Sequence, residues 1–442
     1  MKPVLFLLMF SAGAWFTLCL ARADEPVMVA PINSPVANAQ ITNANTSIVP
    51  VPMPGEKAVR RYHATVIVVG AAIIWSFLAP ALILFTGWSA RIRSWAVRRM
   101  RNWYIGNWYF TFALYGLAFS LLYFLVNLPL NYYASFVFPH HFGLTNQTFS
   151  RWLGVNLEGA VVLGIVGLAV GWIPFLIVKK SPRRWWLWLG LLVLPILCVQ
   201  RLVQPVLIDP LFHQFRPLQD KALESKVLAL AARVGINGSS IYEVNMSRDS
   251  RQDEAYVTGF LGTRRIVVWD TMLKHFNDDQ LLFILAHEMG HHVLHHVIKI
   301  TAFASLMAFL SICVWYWLAG PVIRRCKHWW GFDALSDFAA LPLFILAFQL
   351  SVMADRPVYM AYCRHLEHEA DRFGLELTQN NHAAAAAFVT LVEDNVFVYR
   401  TSPIIQFWYG SHPTPAERID FFNAYRPWAT GQPLKYQKYF KP

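Results

Sequence analysis

The chain has 442 residues, of which 56% are hydrophobic and only 14% are charged. This composition excludes an ordinary soluble protein of this size and indicates a membrane protein. The formal net charge of +12 suits basic loops at an anionic lipid surface, and nucleic acid is not an expected partner because no basic and aromatic pattern marks a binding groove.

The first 23 residues allow two interpretations. Lys2 precedes an apolar run over residues 4–20, and Ala-Arg-Ala follows at 21–23. This pattern predicts a secretory signal peptide that is cleaved before Asp24. The same segment also fits an uncleaved first transmembrane helix, and both interpretations remain open.

Residues 24–60 are rich in Pro, Ala and Asn without periodicity, so we predict a disordered linker. Four candidate spans follow within residues 61–204, and two more interrupt the domain formed by residues 205–442. Each has the roughly 20 apolar residues that a bilayer crossing needs, except the shorter last one. The six are Thr65 to Phe85, Phe110 to Leu130, Ala160 to Val178, Trp185 to Leu202, Ala302 to Ile323 and Phe338 to Met353.

Short basic segments follow the first, third and fifth spans and therefore share one side of the bilayer. That side is predicted to be cytoplasmic, because Lys and Arg accumulate in cytoplasmic loops. The opposite side, with residues 205–300 and 355–442, is then extracytoplasmic. The basic residues are Arg91, Arg93, Arg98, Arg99 and Arg101, then Lys179, Lys180, Arg183 and Arg184, then Arg324, Arg325 and Lys327.

The pentad at residues 287–291, His-Glu-Met-Gly-His, is the strongest motif. It lies in a pattern that predicts one helix from Asp279 to Lys299. Two histidines four residues apart on a helix share one face and can bind the same zinc ion. His287 and His291 are therefore candidate zinc ligands, and Glu288 is placed to activate water.

A catalytic zinc site usually has three protein ligands. A third histidine in the metzincin position is excluded, because Val297 stands there. The helical pattern at 363–371 instead places Glu367 and Asp371 on one face. Glu367 is the candidate third ligand and Asp371 is placed to orient a ligand histidine. Glu369 is expected to face solvent.

With these motifs, the sequence resembles the integral-membrane zinc metalloproteases that include the type I CAAX prenyl proteases and the bacterial HtpX quality-control proteases. The likeness covers roughly residues 65 to 425. Three segments favour the CAAX protease branch: Leu-Pro-Leu-Asn-Tyr-Tyr at 128–133, His-Phe-Gly-Leu-Thr-Asn-Gln-Thr at 141–148 and Asp-Pro-Leu-Phe-His-Gln-Phe-Arg-Pro at 209–217.

The resemblance implies one zinc ion per chain, bound by His287, His291 and Glu367. It implies that Glu288 is the catalytic base and that Asp371 acts as a supporting residue or as a proton donor. The fold class that it implies is mainly α, a polytopic transmembrane helical bundle with a gluzincin-type zinc protease domain that carries a small β-sheet.

His412 also joins the site by resemblance, since Ser-His-Pro-Thr-Pro-Ala-Glu-Arg-Ile at 411–419 is similar to the family's late His-Pro motif. Its histidine is expected to stabilise the oxyanion, and Arg418 is expected to anchor the segment. The function implied is a zinc-dependent endopeptidase that cleaves membrane-associated proteins or peptides, either like a CAAX protease or in membrane-protein quality control. The oligomeric state stays open.

The segment 253–260 departs from the family, because Glu254 stands where Asn usually precedes Ala. We expect an edge strand here that binds substrate backbone by strand addition through Glu254, Ala255 and Tyr256, with Arg264 to Trp269 as its hairpin partner. The Glu254 carboxylate either repels the free C-terminus of a substrate or points to solvent, and both alternatives are kept.

The histidine-rich helix 287–296 also permits a different class of function. His292, His295 and His296 could extend the pair into the metal-loading face of a zinc transporter or metal sensor. Transport sites need paired ionisable residues inside spans, and these spans have almost none. The simpler expectation is that these three histidines are exposed beside a conventional protease site.

Overall fold

The computed structural model describes residues 47–101, 107–236, 240–253, 255–258 and 265–441. The candidate signal segment 1–23 and most of the predicted linker lie outside the described residues, as does Glu254. The helices, the strands and the other candidate site residues lie within them.

The end of the predicted linker is ordered. The first helix begins at Glu56, inside the segment expected to be a linker. Before it, the backbone N–H of Val49 donates to Asn423 Oδ1 at 3.0 Å, and the carbonyl of Val49 accepts from Asn423 Nδ2 at 2.8 Å. Val49 and Val51 pack against the core of the C-terminal domain. The expected disorder is therefore not met over residues 47–60, because backbone and side chains there find partners.

Six helical stretches within the described residues are long and apolar enough to cross a bilayer, and each contains one of the six predicted spans. The chain is therefore a multi-pass membrane protein. The six stretches are Glu56–Phe85, Trp108–His141, Phe149–Lys180, Trp185–Val203, His296–Trp330 and Phe338–Thr378.

The helices are numbered here in chain order. They are α1 Glu56–Phe85, α2 Trp88–Met100, α3 Asn107–Tyr132, α4 Phe149–Val170, α5 Ile173–Lys180, α6 Trp185–Val203, α7 Lys221–Arg233, α8 Asp278–Val293, α9 His296–Trp330, α10 Leu341–Thr378, α11 Asn381–Asp394, α12 Pro403–Tyr409 and α13 Pro415–Ala424. Shorter helical pieces are Tyr133–Val137, Phe138–His141, Gln204–Ile208, Asp209–Phe212, Met272–His275, Phe338–Ala340, Pro427–Thr430 and Gln437–Tyr439.

A small mixed sheet precedes α8. Its strands are β1 Phe215–Pro217, β2 Ser240–Val244, β3 Ala255–Thr258 and β4 Arg265–Trp269, in the order β1-β2-β4-β3. β3 pairs antiparallel with β4, with Tyr256 opposite Val267, and β2 pairs parallel with β4. The predicted hairpin is confirmed, and β3 lies at the edge of the sheet with one side available to another strand.

The core of the C-terminal domain joins α8 to α10, α11 and α13. Phe283 and Met289 of α8, Phe373 of α10 and Phe422 of α13 are fully buried in one cluster. Burial of each such side chain contributes about 1.5–3 kcal/mol relative to exposure. Two separate clusters hold the membrane helices together, and the larger of them is rich in Phe and Tyr. The position of α8 against α10 is therefore set by domain packing.

The prediction of a single helix from Asp279 to Lys299 is wrong at one point. α8 ends at Val293 and α9 begins at His296. Between them, His295 has a φ of 57°, in the left-handed region that residues other than glycine rarely adopt. The chain therefore changes direction after the pentad and enters the fifth span at a new angle.

Candidate metal centre and active site

The helix that carries the pentad has a defined start. Asn277 caps α8 by accepting from the backbone N–H of Gln280, whose side chain accepts in turn from the backbone N–H of Asn277. Two aspartates in the first turn favour the helix dipole. From this start, His287 and His291 fall one turn apart on the side of the helix that faces α10.

Two glycines permit the close approach of α8 and α10. A Cβ atom at Gly290 would lie 3.1 Å from the side chain of Phe373, and one at Gly374 would lie 3.1 Å from the backbone nitrogen of His287. Both distances are shorter than ordinary packing contacts. The absence of these two side chains therefore lets α10 bring its carboxylates to the pentad histidines.

We expect Gly374→Ala to separate the two helices, because the backbone of His287 cannot move away as a flexible side chain could. Overpacking of this kind costs about 1–3 kcal/mol. Chemical unfolding of the metal-free protein in detergent should show a lower free energy of unfolding for Gly374→Ala, and the zinc affinity of this variant should also fall. Gly164→Ala is the matched control, because a Cβ there meets nothing within 4 Å. Equal stability of the two variants would contradict the close-packing role.

The predicted ligand set converges. Glu367 Oε2 lies 3.3 Å from His287 Nε2, and Glu367 Oε1 lies 3.4 Å from His291 Nε2. The two Nε2 atoms are 3.1 Å apart, and one ligand atom from each of the three residues lies within 4.8 Å of the others. Glu367 Oε2 is buried without a hydrogen bond. Two imidazole nitrogens and a carboxylate oxygen around one point fit the donor set of a zinc ion.

Asp371 lies behind this cluster, one turn after Glu367. Its Oδ1 is 2.9 Å from His287 Nδ1, and Arg418 binds both carboxylate oxygens, with Nε to Oδ2 at 2.9 Å and Nη2 to Oδ1 at 2.5 Å. Burial alone would lower the pKa of His287, but the carboxylates of Asp371 and Glu367 beside its ring outweigh this effect and raise the pKa to about 9. The negative charges of Asp371 and Glu367 therefore lie on the two sides of the His287 ring, at Nδ1 and at Nε2.

This arrangement favours one of the two roles considered for Asp371. Its side chain is buried and held by the two hydrogen bonds from Arg418, behind His287 and not among the residues that line the cavity of the site. A carboxylate in that position orients His287 through its Nδ1–H. Arg418 in turn holds this carboxylate in place. The anchoring expected of Arg418 is therefore made through its contact with Asp371.

His412 approaches the same carboxylate from the loop before α13. Its Nε2 is 3.3 Å from Glu367 Oε2, and Ser411 Oγ lies 2.8 Å from its Nδ1. The loop is held by Arg364, which donates to the carbonyl of Gly410 at 2.6 Å, and by Gln406, which donates to the carbonyl of His412 at 2.7 Å. The late His-Pro segment and the pentad therefore form one site.

The site opens into a cavity of about 840 Å³. Glu288, the two pentad histidines, Glu367 and His412 line it, as do Ala255 and Tyr256 of the edge strand β3. β3 packs directly against α8. A peptide that paired with the free edge of β3 would therefore lie beside Glu288. The cavity continues between α6, α9 and α10, where apolar side chains dominate its wall.

Two features of the site departed from expectation. His296 is buried rather than exposed, and its Nδ1 lies 3.0 Å from His291 Nδ1. Glu369 is not a free solvated charge, because Lys299, Lys435 and His296 all lie within 4.0 Å of its carboxylate. The left-handed turn at His295 produces the first contact. No helical periodicity predicts such a turn at a histidine.

A cluster of titratable side chains also lies near the start of β3, and no motif in the sequence predicted it. The Nδ1 of His275 lies 3.0 Å from the buried carboxylate of Asp253 and 3.4 Å from that of Asp394. The hydrogen bond with Asp253 raises the pKa of His275. Asp253 also donates its backbone N–H to Asn395 Oδ1 at 3.3 Å. These contacts fix the residue two positions before Ala255 and so support the edge strand.

Comparison with known proteins identifies the family. Residues 217–425 match the model of peptidase family M48, and residues 58–214 match that of the CAAX prenyl protease N-terminal region with five membrane helices. An uncharacterized metalloprotease of Bacillus subtilis, YhfN, is 32% identical over 370 residues, which cover 83% of this chain and 85% of that protein. The chain belongs to peptidase family M48.

Other M48 relatives agree with the CAAX protease branch. CAAX prenyl protease 1 of Saccharomyces cerevisiae is 28% identical over 311 residues, covering 67% of this chain and 68% of that protein. The crystal structure of Ste24p from S. mikatae shares the fold, with a TM-score of 0.73 at 22% identity, over 84% of this chain and 89% of that one. The protein is therefore a membrane metallopeptidase.

This assignment also decides between the two functional classes considered above. Nothing in the family matches or the described residues supports the zinc transporter or sensor. His295 is exposed, and His296 lies beside His291 and Glu369.

Proposed function

We propose that this M48 member is a zinc-dependent endopeptidase, with one zinc ion held by His287, His291 and Glu367. The observation that carries the proposal is the meeting of these three side chains from α8 and α10, all within bonding reach of one point. The buried Glu367 oxygen without a hydrogen bond is the expected state of a ligand atom reserved for a metal.

A zinc ion at this position supplies Lewis acidity, which acidifies water and polarises a peptide carbonyl. Glu288 then acts as general base, because it shares the α8 surface with both histidines and lines the cavity. It takes a proton from the attacking water and later gives it to the leaving amine. His412 donates from Nε2 to the oxyanion of the tetrahedral intermediate, with Ser411 placed to donate to its Nδ1.

The substrates we propose are membrane-associated proteins or peptides. They bind as an added strand along β3, through the backbone of the segment Glu254, Ala255 and Tyr256. The apolar cavity behind the metal centre, bounded by spans, accepts a hydrophobic or membrane-embedded portion. Whether the Glu254 carboxylate repels a substrate C-terminus or faces solvent is open, and a lipid-modified and an unmodified substrate both fit.

A cleavage assay with purified protein in proteoliposomes tests the function. We expect hydrolysis of casein or of a prenylated peptide that stops when a chelator removes the metal and returns when zinc is added back. Zinc flux into the vesicles, measured in parallel, should not exceed that of empty vesicles. Flux without peptide hydrolysis would contradict the peptidase assignment of the site.

We also propose that the active site faces the extracytoplasmic side. Two of the basic segments lie together, since Arg93 of α2 contacts Asp337 at 3.2 Å and the carbonyl of Gly331 at 2.8 Å, both close after the segment that follows the fifth span. Glu367 lies 26 residues beyond Leu341 on the continuous helix α10, about 39 Å along its axis, which exceeds a bilayer core of about 30 Å. This length supports placing the metal centre and the basic surface on opposite sides of the bilayer.

Reporter fusions check this orientation. We expect alkaline phosphatase fused at the C-terminus to be active and the same enzyme fused after Lys180 to be inactive, because it folds only outside the cytoplasm. A fluorescent protein that matures in the cytoplasm should give the reverse pattern. An inactive C-terminal phosphatase together with a bright C-terminal fluorescent protein would refute the proposed orientation.

A further inference from the structure

The two pentad histidines are supported differently. His287 Nδ1 has a direct carboxylate partner in Asp371. His291 has no such partner among the described residues, and its Nδ1 instead lies 3.0 Å from Nδ1 of His296. The His296 side chain is only 3% exposed, and its other nitrogen, Nε2, is buried without a hydrogen bond, with Glu369 Oε2 as its charged neighbour at 3.5 Å.

The contacts define one pattern of protons. In both pentad histidines Nε2 faces Glu367, so in the neutral ligand form the proton lies on Nδ1. The Nδ1–H of His291 can then donate to His296 only if Nδ1 of His296 carries no proton. The neutral His296 therefore has its proton on Nε2, the nitrogen that faces the Glu369 carboxylate.

Resting on the proposed function, we propose that His296 and Glu369 are positioning residues for the metal centre, acting through His291. The row His291–His296–Glu369 does for the second ligand what Asp371 does for the first. Ligand histidines in metal sites generally donate their second N–H to a carboxylate, a carbonyl or water, which fixes the tautomer and the ring orientation.

Two further observations support the assignment. His295 adopts a left-handed conformation immediately before His296, which is unfavourable for residues other than glycine and persists only where the surrounding structure requires it. That turn starts α9 with His296 buried against His291. Glu369 is in turn held by Lys435 at 3.4 Å and by the hydroxyl of Tyr436 at 3.3 Å, so its carboxylate has a fixed place.

Zinc affinity tests the proposal independently of catalysis. Equilibrium competition with a fluorescent zinc chelator should show His296→Ala weakened by about 10–100-fold, the usual effect of losing such a partner. His296→Asn should recover part of the loss, because its amide oxygen can accept from His291. His365→Ala is the control, since His365 lies 3.9 Å from Glu369 but is 65% exposed and does not contact His291.

The double variant completes the test. If the row acts as a unit, His296→Ala with Glu369→Ala should bind zinc no more weakly than His296→Ala alone. Chemical unfolding of the metal-free variants shows whether they remain folded. A folded His296→Ala with wild-type zinc affinity, or a folded His296→Asn that binds zinc no better than His296→Ala, would overturn the inference alone. Failure of the wild type to bind zinc would overturn the proposed function instead.

Discussion

Glu288→Gln is expected to lose peptidase activity by about 10²–10⁴-fold while keeping its zinc. The amide has nearly the shape of the carboxylate but cannot accept the proton of the attacking water. Glu288 is partly exposed and lines the cavity beside both pentad histidines, so the change leaves the packed core untouched. The measurements are the rate of peptide hydrolysis in proteoliposomes and the zinc content of the same preparation.

A matched control separates loss of the base from loss of a negative charge. Glu224→Gln changes a carboxylate on the surface helix α7, where it pairs with Lys221 at 2.7 Å and is remote from the site. Its activity should equal that of the wild type. Undiminished cleavage by zinc-loaded Glu288→Gln would rule out Glu288 as the base. The inactive variant also serves as a trap, and proteins retained on it in native membranes would identify the substrate class.

The pattern of apolar residues predicted the six crossings, because each bilayer span needs a long apolar segment that few other structures require. The extent of the last helix was beyond that pattern. α10 runs from Leu341 to Thr378 as one helix, so a single element carries both the sixth crossing and Glu367. Hydropathy marks only the lipid-facing part of such a helix, and the polar continuation appears as a separate segment.

The pentad and the distant carboxylates were recognisable because zinc chemistry restricts residue types and spacing. The residues that position these ligands could not be recognised from the sequence. Gly290 and Gly374 matter through contacts between two helices far apart in sequence, and His296 matters through one left-handed residue before it. Periodicity describes each helix alone, so it placed His296 on an exposed face and Glu369 in solvent.

The structure also changes the interpretation of Asp371. The spacing predicted that Asp371 orients a ligand histidine, and the family resemblance implied either a supporting residue or a proton donor. The two hydrogen bonds from Arg418 and the contact with His287 Nδ1 occupy its carboxylate on the side away from the cavity. The pairing of Asp371 with a residue 47 positions later in the chain is a tertiary contact, and no local pattern encodes it.

Glu367→Ala is expected to weaken zinc binding by more than about 100-fold, beyond the range seen when only a supporting partner is lost. Glu367 is the ligand that α10 contributes, and each of its oxygens faces one imidazole of α8. Zinc should therefore stabilise the wild type, by about 2.7 kcal/mol at 100 times its dissociation constant, and leave Glu367→Ala nearly unchanged. Thermal unfolding with and without zinc measures this difference.

Glu367→Asp and a double variant test whether α8 and α10 both contribute ligands to one zinc ion. The shorter carboxylate of Glu367→Asp keeps the charge but withdraws the oxygens by one methylene, so its zinc affinity should fall between wild type and Glu367→Ala. Because ligands of one ion are coupled, Glu367→Ala and His291→Ala should combine less than additively. Additive losses, or wild-type affinity in Glu367→Ala while His291→Ala loses zinc, would mean that α10 contributes no ligand and that the shared site is wrong.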